Sequence, residues 1–106
     1  MVARRKFRED NPPPRVELRF KVFLPIIGEN AGREYRLHLL DLSENGARLH
    51  GDAHAEIGDH ISLWWNGRKY HGSVIWQRDR MFGLAFNAAM PMAIIDAILA
   101  PAAPQP

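Results

Sequence analysis

The chain has 106 residues, of which 46% are hydrophobic and 25% charged, and a formal net charge of +2. This length supports one domain with a single modest core. Cysteine is absent, which excludes disulfides, thiolate nucleophiles and zinc-thiolate sites. No apolar run approaches the roughly 20 residues of a membrane span, and none of signal-peptide type follows the first basic residues, so we expect no export and a cytoplasmic location.

The first 14 residues are basic and end in a run of prolines. Asn11-Pro12-Pro13-Pro14 can be neither helix nor central strand. Residues 1–14 are therefore predicted to form a flexible arm, separate from a folded unit over residues 15–100. The arginines and lysine of this arm suit a phosphate-bearing partner, although a solvated basic tail has the same composition.

Alternation of apolar and polar residues predicts the first two strands. The first strand is expected to begin at Arg15 and the second to run over residues 35–41, with a loop at 28–32 between them. The apolar face of the first strand is formed by Val16, Leu18, Phe20, Val22 and Leu24.

Asp41 and Ser43 stand where the second strand ends, and Asn45-Gly46 follows them. The Asn-Gly pair is predicted to make a tight hairpin turn into a third strand, in which Ala47 and Leu49 resume the alternation, because both residues of the pair readily take positive φ angles. Asp41 and Ser43 are two positions apart, so we expect them to project from the same face and to stand exposed side by side, with Leu42 in the core. The alternative is a capped hairpin that holds no ligand.

The remaining sequence predicts three more strands and one helix. A second Asn-Gly pair, at residues 66–67, is predicted to join strands at 61–66 and 68–77, and a short last strand covers 82–86. The apolar spacing of residues 94–99 predicts a helix that covers an open end of the sheet, or else forms a dimer contact. Residues 101–106 are expected to be a disordered tail.

The orientation of the aromatic residues follows from the same alternation. Trp76 is expected to face inward with Val74, whereas Trp64 faces outward as a candidate partner contact or stacking platform. Six short strands with frequent turns favour an all-β fold, an antiparallel barrel or sandwich.

The sequence offers no pattern of an enzyme or a metal centre. No serine is combined with a histidine and an aspartate in a recognisable catalytic arrangement. His50, His54 and His60 lie in a glycine-broken segment, where spacing of four residues does not bring two imidazoles together. We therefore expect no catalytic residues, no bound metal and no cofactor.

Several motifs occur in the order in which one bacterial family carries them. Asp41, Ser43 and Gly46 form a D-x-S-x-x-G motif, and Arg4 and Arg8 form an R-x-x-x-R motif ahead of it. In these motifs and in Phe82-Gly83-Leu84, the chain resembles PilZ domains from the N-terminal arginines to the C-terminal helix. The resemblance implies a six-stranded PilZ-type antiparallel β-barrel with a flexible basic N-terminal arm and a short C-terminal α-helix.

The position of the arginine motif departs from the family pattern, in which the second arginine lies just ahead of the first strand. Here residues 9–14 separate Arg8 from the predicted strand. Arg15 and Arg19 have the same spacing, but they lie inside that strand. In a third alignment, Arg15 takes the position of the second arginine, and Asn11 takes that of the first. We adopt Arg4 and Arg8, because an arm that folds over a ligand must be free to move.

The resemblance implies a receptor for cyclic di-GMP that orders its arm on binding and signals to an effector protein. The planar guanidinium of arginine can bridge phosphates, bind guanine O6 and N7, and stack on a purine. A carboxylate can accept hydrogen bonds from guanine N1 and N2. One alternative is an adaptor of the same fold without the ligand, and another is a small basic barrel that binds single-stranded nucleic acid. The latter is disfavoured, because most aromatics are predicted to face inward. The ligand-binding residues that the resemblance implies are Arg4, Arg5, Arg8, Asp41, Ser43 and Gly46.

Overall fold

The fold is a closed antiparallel barrel of six strands with one helix, as described for residues 17–100 by a computed structural model. The elements are β1 (Phe20–Asn30), β2 (Arg33–Leu42), β3 (Gly46–His50), β4 (His60–Trp65), β5 (Arg68–Arg78), β6 (Met81–Phe86) and α1 (Met92–Leu99). Around the barrel the order is β1-β2-β3-β6-β5-β4. The predicted barrel and C-terminal helix are therefore confirmed, while the predicted arm and tail lie outside the described residues.

One hydrophobic core fills the barrel and extends to the helix. Alternate residues of the strands point inward, and Ile95 and Ile98 of α1 belong to the same buried cluster. The helix is thus part of the core rather than a free apolar surface. The fully buried side chains of the strands include Leu37, Leu39, Leu42, Leu49, Ile61, Leu63, Phe82 and Leu84.

The first strand begins later and ends later than its alternation predicts. It starts at Phe20 rather than Arg15, and Leu18, predicted to face the core, is 61% exposed. It continues through the predicted loop until the turn at Ala31-Gly32, where both residues have positive φ. A bulge between Lys21 and Leu24 interrupts its pairing with β2. Alternation predicts the strand correctly, but it does not reveal where pairing begins.

The two Asn-Gly pairs have different structures. Asn66 and Gly67 have φ angles of 51° and 79°, so the predicted tight turn between β4 and β5 is confirmed. In contrast, neither Asn45 nor Gly46 has a positive φ, and Gly46 is already the first residue of β3. The prediction of a tight Asn-Gly turn there is wrong, because the hydroxyl of Ser43, described below, closes this loop instead.

Two further bulges change which residues face outward. A shift in the β2–β3 register between Leu39 and Asp41 turns the Asp41 carboxylate outward, although Leu37 and Leu39 point inward. A shift in the β5–β6 register between Val74 and Trp76 turns Trp76 outward as well. The prediction that Trp76 shares the inward face of Val74 is therefore wrong, since a bulge inserts one extra residue and reverses the alternation beyond it.

Candidate functional site

A line of side chains crosses the outer surface of the barrel at the Asp41 motif. Directly opposed residues of antiparallel strands point to the same face of a sheet, about 5 Å apart. Successive opposed pairs therefore form one continuous row on the surface. This outer row consists of Lys21 on β1, Asp41 on β2, Arg48 on β3, Gly83 on β6 and Trp76 on β5.

The carboxylate of Asp41 lies between two arginines. Arg48 Nε is 3.4 Å from Asp41 Oδ2, and Arg19 Nη2 is 3.9 Å from Oδ1. Both distances indicate ion pairs without good hydrogen-bond geometry. Asp41 Oδ1 and Arg48 Nε are buried, and neither forms a hydrogen bond with a described residue. An unpaired buried donor or acceptor costs about 1–3 kcal/mol, so this pair is suited to a ligand that offers both an acceptor and a donor.

Ser43 closes the loop between β2 and β3 with its hydroxyl group. Its oxygen accepts hydrogen bonds from the backbone N–H groups of Asn45 (3.3 Å) and Gly46 (3.1 Å), and the Ser43 N–H donates to the Gly46 carbonyl at 2.8 Å. The hydroxyl itself donates to Glu17 Oε2 at 2.7 Å. All of its hydrogen-bonding capacity is therefore used within the chain.

The expectation that Asp41 and Ser43 stand exposed side by side is wrong. Asp41 is 7% exposed and Ser43 is completely buried. The arginine side chains cover Asp41, and Ser43 has left the strand to form the loop, so its side chain does not continue the face of Asp41. The groups that solvent reaches at this site are instead those around the motif, chiefly Arg19 and Arg48.

Trp76 ends the outer row as a partly exposed indole, with 36% of the residue accessible. Its ring lies over Gly83, because a Cβ added at that glycine would collide with three atoms of the indole. Gly83 is consequently buried, although it lies on the outer face between the inward residues Phe82 and Leu84. The glycine is required for space at this position rather than for a bend in the sheet.

The carboxylate of Glu17 is held beside the Ser43 loop. The hydrogen bond from the Ser43 hydroxyl is the main cause that lowers its pKa, burial opposes this, and Asn45 and Arg19 add smaller lowering effects. A carboxyl whose pKa is lower in the folded state stabilises the fold at higher pH, and that contribution is lost as the pH falls through the lowered value.

Glu17→Gln is therefore expected to lower the stability of the protein at neutral pH but not in acid. Since 37% of the side chain is exposed, the loss is expected to be at most about 1 kcal/mol at pH 7. The difference should disappear as the pH falls well below about 4.3, the ordinary pKa of glutamate. Urea unfolding of both proteins across this range measures it. A difference that is constant with pH would contradict the role of the charged carboxylate.

The structure brings together part of the predicted site and adds residues to it. Asp41, Ser43 and Gly46 lie at the junction of β2 and β3, while Arg4, Arg5 and Arg8 lie outside the described residues. Arg19 is predicted to lie inside the first strand, but it precedes β1 and contacts Asp41.

Arg48 and Trp76 are site residues that the sequence did not indicate. Arg48 is the middle residue of an ordinary alternation in β3, and Trp76 matched the inward face of β5. Only the register between strands places them beside Asp41. The one signal in the sequence that could have identified Arg48 is its position, directly after the D-x-S-x-x-G motif and the small residue that follows it.

Two other features are absent from the part of the chain that the structure describes. In residues 17–100, no three histidine or acidic side chains are grouped so that they could hold a metal ion. Within the same residues, no helix has both the length and the hydropathy needed to cross a membrane.

Comparison with known proteins agrees with this arrangement of motif and barrel. A search of curated proteins found no match. A family model for the PilZ domain matches residues 4–100, which is nearly the whole chain. The match includes Arg4 and Arg8 ahead of the barrel as well as the Asp41 motif. The chain therefore belongs to the PilZ domain family.

Proposed function

We propose that the protein binds cyclic di-GMP on the outer row and acts as a non-catalytic receptor. The PilZ domain is known as a cyclic di-GMP-binding family, and this chain carries its two motifs in order. The observation that carries the proposal is the buried pair of Asp41 Oδ1 and Arg48 Nε, which lack hydrogen-bond partners among the described residues.

A guanine base has the groups that complete this pair. Its O6 and N7 accept hydrogen bonds, as arginine requires, and N1 and N2 donate, as a carboxylate requires. Arg19 covers Asp41 through ion pairs of 3.8 Å to Glu17 and 3.9 Å to Asp41. Contacts of this length on the surface are weak, so Arg19 can move aside and then bind a phosphate.

Trp76 and the N-terminal arginines supply the remaining contacts in this proposal. The indole of Trp76, which lies against Gly83 and is partly exposed, offers an aromatic surface on which a second guanine can stack. Arg4, Arg5 and Arg8 then bind the phosphates, and the ordering of the arm presents a new surface to an effector protein.

Calorimetric titration with cyclic di-GMP tests the receptor function. The wild-type protein is expected to bind with a dissociation constant of micromolar order or lower, and Arg8→Ala and Arg48→Lys are each expected to weaken binding by about tenfold, since lysine keeps the charge but not the planar fork. Arg33→Ala is the control, because Arg33 is exposed at the opposite end of the β1–β2 hairpin.

The same titration decides which arginines form the motif. Loss of binding in Arg8→Ala assigns the motif to Arg4 and Arg8. If Arg8→Ala binds as the wild type does, while Arg15→Ala and Arg19→Ala bind more weakly, the motif is Arg15 and Arg19. Absence of binding by the wild-type protein would contradict the receptor function.

A ligand-free adaptor is the second candidate, and one observation favours it. The Ser43 hydroxyl is fully buried and already makes all of its hydrogen bonds within the chain. The motif then serves only to close the β2–β3 loop. An adaptor of this kind should release no heat on titration with cyclic di-GMP and should not bind oligonucleotides in a salt-sensitive manner. Salt-sensitive binding of oligonucleotides without binding of cyclic di-GMP would instead indicate a nucleic-acid-binding barrel.

A further inference from the structure

We infer that the Ser43–Asn45 loop is a binding position for an oxyanion, and that the chain fills it with its own Glu17. In the receptor proposed above, on which this inference rests, Glu17 competes with a phosphate of cyclic di-GMP. Release of Glu17 is then a step of ligand binding, and the residue sets the concentration at which the receptor responds.

The contacts of Glu17 are those expected of a bound anion. The Ser43 hydroxyl donates to Oε2 at 2.7 Å, a short distance typical of a charged acceptor. The Gly46 carbonyl is a second acceptor at 3.2 Å, but a hydroxyl has a single proton, and the shorter contact takes it. The side-chain and backbone amides of Asn45 also lower the pKa of Glu17, and Arg19 Nη1 lies 3.8 Å from Oε1.

The same donors suit a phosphate oxygen equally well. A hydroxyl, amide N–H groups and a guanidinium bind carboxylates and phosphates alike, because each offers positive charge to an oxyanion. Two anions cannot occupy one set of donors, since they repel each other. Glu17 is also partly exposed, with 37% of its side chain accessible, so solvent can take its place when it leaves.

The position of Glu17 in the chain couples its release to the arm. It follows Arg15 by two residues and precedes β1 by three, so the backbone that carries the arginines also carries this carboxylate. Release of Glu17 from Ser43 therefore frees residues 17–19, the segment that joins the arginines to β1.

Calorimetry with Glu17→Gln tests the competition. Glutamine keeps the size of the side chain but removes its charge, so cyclic di-GMP is expected to bind about fivefold more tightly, the factor that corresponds to roughly 1 kcal/mol. Glu34→Gln is the matched control, because Glu34 is exposed at the far end of the same hairpin, and its affinity should equal that of the wild type. Weaker binding by Glu17→Gln would show that Glu17 contacts the ligand and would overturn the inference.

Inorganic phosphate provides a second test that does not depend on cyclic di-GMP. In a proton–nitrogen spectrum, phosphate should shift the Asn45 and Gly46 amide resonances of Glu17→Gln more than those of the wild type. Such shifts without any binding of cyclic di-GMP would retain the oxyanion position and reject the receptor function. Binding of cyclic di-GMP that is unchanged by Glu17→Gln, together with no shift by phosphate, would retain the receptor and reject the oxyanion position.

Discussion

Replacing Trp76 with alanine is expected to weaken the binding of cyclic di-GMP by about tenfold or more, because stacking one base on an aromatic ring contributes roughly 1–3 kcal/mol. The indole lies against Gly83 at the end of the outer row, and 36% of the residue is accessible. Alanine removes the ring but leaves Asp41 and Arg48 in place. Calorimetry on the two proteins measures the change.

Trp64→Ala is the control for this experiment. Trp64 is also partly exposed and outward, but it lies on β4, where its Nε1–H donates to Glu29 and Lys69 approaches its ring. Its loss should leave the affinity unchanged. Trp76→Phe should retain part of the affinity, since a smaller ring still stacks. Equal affinities for wild type and Trp76→Ala, or a loss confined to Trp64→Ala, would place the ligand elsewhere on the barrel.

Replacing Gly46 with alanine is expected to lower the free energy of unfolding by about 2–3 kcal/mol, a large share of the stability of a small domain. A Cβ at this position would collide with the backbone carbonyl of Leu84 on β6. A backbone group cannot rotate away as a side chain can, so β3 and β6 must separate. Urea unfolding, followed by tryptophan fluorescence, measures the loss.

Gly67→Ala distinguishes this steric effect from the general cost of replacing a glycine. Gly67 has a φ of 79°, and nothing lies within 4 Å of an added Cβ. Its replacement should cost only about 1 kcal/mol, from the left-handed backbone conformation. If Gly46→Ala were no more destabilising than Gly67→Ala, close approach of the strands would not explain the glycine of the motif.

The sequence predicts the barrel well because local patterns determine its strands and turns. Alternation in β2 and β4 places Leu37 and Leu63 in the core, and Asn66-Gly67 adopts the positive φ angles that the pair favours. The same pair at residues 45–46 adopts another structure. There the Ser43 hydroxyl accepts hydrogen bonds from the loop backbone, and this local side-chain contact overrides the turn preference of the Asn-Gly pair.

The composition of the site could not be predicted to the same extent, because it depends on bulges. One extra residue between Leu39 and Asp41, and another between Val74 and Trp76, reverse the alternation in β2 and β5. Neither bulge has a glycine or proline to mark it. The outward side of Asp41 follows from the inward Leu42, but strict alternation would place Trp76 in the core, and it does not show which residues lie beside Asp41. Alternation alone therefore cannot find the outer row.

Three aromatic side chains point outward, and only that of Trp76 owes its orientation to a bulge. Phe23 lies within the bulged part of β1, is 69% exposed and stacks on His38, with ring centroids 4.6 Å apart. Together with Trp76 and Trp64, it gives the barrel three aromatics with outward faces. Most of the aromatic residues that the structure describes are buried or packed against the core, as expected. The three outward ones nevertheless offer surfaces for stacking, so oligonucleotides belong among the ligands that are titrated.

The most direct measurement is a proton–nitrogen spectrum of the protein during titration with cyclic di-GMP. The chain has three tryptophans, so three indole N–H resonances report on three places in the barrel. We expect the Trp76 indole and the Arg48 Nε–H to shift together with backbone amides of the first 16 residues, while the Trp64 and Trp65 indoles stay unchanged. Binding that leaves Trp76 and Arg48 unaffected would contradict a ligand site on the outer row.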